Sequence, residues 1–91
     1  MKYFKWDEDK NRLLNQKRNI SFEDIVLSVS SGGLLDVLNH PNPEKYPKQM
    51  LMIVEVKNYA FVVPFIENDD HYFLKPIYPS RKATKIYLDH E

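Results

Sequence analysis

"MLMIVEVKNYAFVVPFI", residues 50–66, decides the fold. Two apolar runs, 50–56 and 59–66, are rich in β-branched and aromatic residues and read as strands. Only Lys57 and Asn58 separate them, which predicts a tight hairpin. Pro64 falls late in the second run. It has no N–H to give to a ladder, so it implies a bulge, a bend or an edge.

Beyond the hairpin, "ENDD" (67–70) is a turn and "YFLKPIY" (72–78) is a last strand interrupted by Pro76. Ser80 is placed to cap a final helical turn through about Tyr87. Before the hairpin, prolines and asparagines make "NHPNPEKYP" (39–47) a loop, and "LLDVL" (34–38) a short strand. "ISFEDIVLSV" (20–29) carries Phe22, Ile25, Val26 and Val29 at helical spacing. Ser21 and Asp24 suit its cap, and Ile20 and Ile25 its hydrophobic staple. "SSGG" (30–33) stops it. Asp7 is a good N-cap for a helix over about residues 8–18, with a thin stripe at Leu13 and Leu14 and with Lys17 and Arg18 in its last turn. "KYFKW" (2–6) suits a short strand with Tyr3 and Phe4 or Trp6 inward. The order β-α-α-β-β-β-β with a helical tail predicts a single α+β domain over residues 1–91. Its two N-terminal helices pack on one face of a four- to five-stranded, mainly antiparallel sheet.

Thirteen basic and thirteen acidic residues cancel, so any nucleic-acid binding must come from local clustering. There is no cysteine, which removes disulfides, thiolate metal sites and cysteine nucleophiles. No stretch has signal-peptide or membrane-helix character, so the expectation is a cytoplasmic domain with no membrane partner. No phosphate loop or dinucleotide fingerprint is present, and no cofactor is expected.

"FKWDEDKNRLLNQKRNISFED" (4–24) resembles the opening of BrnT-type toxins. Their pattern is an aromatic residue, tryptophan-aspartate, a lysine three residues on, and serine-phenylalanine-glutamate heading a second helix. Phe4, Trp6, Asp7, Lys10, Ser21, Phe22 and Glu23 match it without a gap. "PSRKATK" (79–85) resembles the family's closing stretch, with Arg81, Lys82 and Ala83 in register. Two differences stand out. Arg18 and Asn19 replace the family's histidine-glycine, and Pro64 and Phe65 follow Val62 and Val63 where the family carries an arginine. The resemblance implies a RelE-like fold and the toxin of a bacterial toxin–antitoxin pair. It implies a ribonuclease that inhibits translation and is neutralised by a cognate antitoxin, with operator DNA contacted only through that antitoxin.

Metal-independent RNA cleavage needs a base, an acid, and cations at the phosphate. Arg81 and Lys82, just past a strand and at a helix start, are the catalytic cations to consider; the alternative is a pair of solvated charges near the chain end. Glu23 is a candidate general base, or an ordinary carboxylate at a helix N-terminus. His40, on a loop with Glu44, is a candidate acid or base, or a histidine bonded to loop backbone. Lys17, Arg18 and Lys75 are RNA-binding candidates, with Lys10 reading as solvated helix surface. Tyr46, Tyr59, Tyr72, Tyr78 and Tyr87 can stack bases or pack the sheet. His71 and His90 read as solvated, and three dispersed histidines make no zinc pattern. An alternative function on the same fold is a non-catalytic binding module, either an inhibitor of a protein target or a former toxin that only binds its antitoxin. The antitoxin would cover a basic groove and an unpaired strand edge, with residues 50–54 and their proline-marked neighbour as candidate places.

Overall fold

The computed structural model describes residues 2–89, so His90 lies outside the described residues. The elements run β1 (Tyr3–Lys5), α1 (Glu8–Arg18), α2 (Phe22–Ser30), β2 (Leu34–Asn39), β3 (Gln49–Val56), β4 (Tyr59–Glu67), β5 (His71–Leu74), β6 (Tyr78–Pro79) and α3 (Arg81–Tyr87). This is an α+β fold with three helices and a mixed sheet of six strands. The strand order is β1-β5-β4-β3-β2, and β6 also pairs with β4. Every pairing is antiparallel except β1 on β5, which is parallel.

Local chemistry sets the ends of these elements. Asp7 caps α1 by accepting from the amides of Asp9 and Lys10, and Asn19 closes it in the left-handed region at φ 55°. Ser21 and Asp24 form a reciprocal capping box on α2, an arrangement in which each cap contributes about 1 kcal/mol. Lys57 and Asn58 both have positive φ, as a two-residue turn between twisted strands requires.

Pro64 is neither at an edge nor at a bulge of the β3–β4 ladder, where it pairs with Leu51. It sits where β4 changes its other neighbour. Phe61 and Val62 pair with β6, and Phe65 to Glu67 pair with β5. Between them the Pro64 carbonyl accepts the Lys75 amide at 2.7 Å. Pro76 lies in the same gap, and the single strand expected over 72–78 is two strands.

The sheet is covered on both faces, not one. Met52 and Val54 of β3, with Val63 and Phe65 of β4, pack against Leu14, Ile20, Phe22 and Ile25 of the first two helices and their connection. The alternate residues Leu51 and Ile53, with Ala60 and Val62, pack against Ala83 of α3. The C-terminal helix is therefore a cover for the second face rather than a tail. Thr84 fixes it: its Oγ1 accepts the Ala60 amide at 2.9 Å and donates to the Ser80 carbonyl at 2.8 Å. Phe4 of β1 and Trp6 just after it turn inward, and Trp6 stacks on Phe22, while Tyr3 is 50% exposed and faces out.

Strands β3 and β4 are interior, so residues 50–54 and their neighbour offer no free edge; among the described residues the edge strands are β1, β2 and the short β6. No helix among the described residues is long and apolar enough to cross a membrane.

Candidate nucleic-acid interface

The gap between β5 and β6 opens a cleft of about 460 Å³ on the α3 side of the sheet. Gln49 and Pro64, from β3 and β4, lie between its two ends. On the β5 side stand Lys75, Pro76 and Tyr78; on the β2 side stand His40 and Tyr46, from the loop after β2. A shallower extension of about 430 Å³ shares His40, Tyr46 and Gln49 and adds Lys48. A second cleft, of about 320 Å³, lies between α1 and the β5–β6 connection. Lys10, Lys17 and Arg18 line it over a floor of Leu13, Leu14, Pro76 and Ile77. Pro76 belongs to both clefts, which open on opposite faces of the sheet, the first on the α3 side and the second against α1. Every formally charged side chain lining them is cationic, although the chain as a whole is neutral. In the first cleft and its extension Lys48 and Lys75 stand with Tyr46 and Tyr78, the cationic and aromatic groups that hold a single nucleic-acid strand.

The structure thus brings His40 and Lys75 into one cleft, and Lys17 and Arg18 into the second with Lys10. It does not bring the other candidates there. Arg81 and Lys82 begin α3, are exposed and line none of these clefts. The amide of Ala83 at that helix start is already taken by Ser80 Oγ at 3.0 Å. Glu23 is held by Asn11, whose Nδ2 donates to Glu23 Oε1 at 2.8 Å while its Oδ1 accepts the Phe22 amide at 2.8 Å. That bond keeps the Glu23 carboxyl below the usual carboxylate range. It makes Glu23 a joint between α1 and α2, with no place in the clefts.

His40 is half-buried. Its ring lies 4.5 Å from that of Tyr46 at 36°, and its Nδ1 accepts the Asn42 amide at 3.0 Å. Lys75 extends over the Phe73 ring, with Nζ 5.4 Å from the ring centre. Of the other tyrosines, Tyr72 packs on the core and Tyr87 bonds Asp36. His71 is half-buried, with Asp70 on its Nδ1 at 2.7 Å and Asn68 on its Nε2 at 3.1 Å. Among the described residues no group of three or more histidines, aspartates or glutamates is placed to hold a metal ion.

Gln49, Lys48 and Pro76 carried no functional signal of their own in the sequence. The signal for the cleft was the pair of prolines, 64 and 76, in neighbouring strand runs: two missing donors mark where a ladder opens. Comparison with known proteins finds no matching family model, no matching curated protein and no matching solved structure.

Proposed function

We propose that this chain binds single RNA strands and is the toxin of a bacterial toxin–antitoxin pair, a RelE-like ribonuclease acting without a metal ion. The observation that carries the reading is the larger cleft with its extension, where Lys48 and Lys75 stand with His40 and two tyrosines and without a carboxylate, while Lys10, Lys17 and Arg18 line a second cleft across Pro76. A backbone lying in the larger cleft meets Lys75 at its phosphate, and Lys17 and Arg18 steer the strand from across Pro76. Lys75 and the Tyr78 hydroxyl are the groups there able to hold charge or a proton at the scissile phosphate. The similarity of residues 4–24 and 79–85 to BrnT-type toxins supports the same reading.

A second reading is favoured by one observation. Pro64, which stands where the related toxins carry an arginine, lies within the cleft, and no carboxylate accompanies it. The cleft then binds without cutting, and the chain acts by occupancy alone.

One experiment separates the two. The purified protein is incubated with unstructured RNA in EDTA and both binding and cleavage are followed. Cleavage that Lys75→Ala lowers by about a hundredfold or more supports the ribonuclease. Binding without cleavage supports the second reading, and the absence of binding removes both.

A further inference from the structure

We propose that His40 and Tyr46 form a platform that stacks and reads one unpaired nucleobase, with His40 as a hydrogen-bond donor. This rests on the RNA reading above and assigns a role to one wall of its cleft.

The loop is built around the histidine. The Asn42 carbonyl accepts the Tyr46 amide at 3.0 Å, and Asn42 Oδ1 accepts the Lys45 amide at 3.3 Å. The amide of Asn42 itself points at His40 Nδ1 at 3.0 Å. Nδ1 is therefore an acceptor, and the ring proton sits on Nε2. To serve as a base at Nε2, the ring must move its proton to Nδ1. To serve as an acid, it must carry protons on both nitrogens. Either state sets a hydrogen on Nδ1 against the Asn42 N–H and costs that one hydrogen bond, about 1 kcal/mol, while the other two bonds of the turn stay. Donating a hydrogen bond from Nε2 costs nothing there. The ring is thus placed as a donor, suited to a carbonyl or ring nitrogen on the edge of a base.

Stacking completes the platform. Tyr46 packs beside His40 with ring centres 4.5 Å apart, and Tyr78 on the facing side is 44% exposed. Lys75 stands across the cleft from Tyr46, placed for the phosphate of a stacked nucleotide. A duplex offers no free base face, so the ligand is a single strand.

The test titrates oligo(A), oligo(C) and oligo(U) RNA into the isotopically labelled full chain. The expected result is that the ring signals of His40 and Tyr46 move and that the three oligonucleotides bind unequally. Tyr46→Ala should weaken binding about five- to a hundredfold, the loss of one stacked base. His40→Phe, which keeps a ring and removes the donor, should keep most of the affinity and lose the preference among bases. RNA binding that leaves both rings unmoved overturns the platform and leaves the RNA reading standing. A fall of about a hundredfold or more in the cleavage rate of His40→Phe at saturating RNA also overturns it, because that is the signature of acid–base catalysis. If none of the three binds, both inferences fail together.

Discussion

The Tyr87 hydroxyl donates to Asp36 Oδ2 at 2.6 Å, a bond that ties the C-terminal helix to the edge strand β2. The other oxygen, Asp36 Oδ1, accepts the Val37 amide at 2.8 Å. A single carboxylate therefore anchors the helix that covers the second face and occupies a backbone donor on an otherwise open edge. Edges left unprotected recruit other strands.

This bond holds the Tyr87 phenol above its ordinary value, chiefly because Asp36 accepts from its protonated form. A group raised in the folded state contributes stability below its unfolded value, about 10 for tyrosine, and loses it as pH rises through the folded one. Tyr87→Phe keeps the ring and removes the bond. The variant should melt below wild type at neutral pH, and the gap should close in alkali above about pH 10. Denaturation midpoints across that range check it. A gap that persists unchanged in alkali means that the bond does not stabilise the helix.

Asn11 is only 8% exposed, and both ends of its amide are used, one on the Phe22 amide and one on Glu23. Asn11→Ala should cost about 1–3 kcal/mol, because the Phe22 N–H is left buried and unpartnered. Glu23, with its value depressed by Asn11, adds stability above the unfolded carboxylate range and loses it as pH falls through the depressed value. The difference between wild type and Asn11→Ala should therefore shrink in acid. Urea midpoints at neutral and acid pH measure it.

Much of this fold was legible because its signals are local. Asp7, Ser21 and Ser80 each accept from backbone amides two or three residues ahead, and the turn at Lys57 and Asn58 needs only two residues in the left-handed region. Asn11 was not read: the expected stripe was Leu13 and Leu14, whereas the buried pair on α1 is Asn11 and Leu14. The parallel pairing of Tyr3–Lys5 with His71–Phe73 was not legible, because it joins the two ends of the chain and leaves no local trace. The second cover was half legible. Both alternating sets in residues 51–54 are apolar, which demands cover on both faces, but nothing nearby says that Ala83 provides it. The clefts were the least legible, since they need the loop after β2, two central strands and the β5–β6 gap at once. Periodicity placed Arg81 and Lys82 at a helix start but gave no sign that this start lies outside the clefts.

Gly33 packs where no side chain fits. A Cβ there would lie 1.9 Å from Ser28 Oγ, 3.0 Å from the Ser28 carbonyl oxygen and 3.2 Å from the Glu55 carbonyl oxygen. The Ser28 hydroxyl is itself committed, as a donor to the Glu55 carbonyl. Gly33→Ala should destabilise by about 1–3 kcal/mol. Adding Ser28→Ala should recover only part of this, because the two carbonyl oxygens remain. Comparing the single and double variants by denaturant unfolding tests it, and full recovery would mean that the hydroxyl alone sets the cost.

The charges along the two clefts give the last expectation, and it separates the site from the chain end. If RNA lies in the clefts, Lys75→Ala should weaken binding and reduce the slope of log affinity against log salt by about 0.7, one released counterion on a single strand. Replacing Lys17 and Arg18 together should reduce it by about twice that if the strand also runs along the second cleft, which both cations line. Arg81→Ala should change the slope less than Lys75→Ala, since Arg81 begins α3 beyond the cleft walls. Fluorescence anisotropy with a labelled oligonucleotide over a salt series reads all three. The reverse order, with Arg81 dominant and Lys75 silent, would move the binding surface onto the start of α3. Equal small effects from every cation would mean diffuse attraction, with no strand held in either cleft.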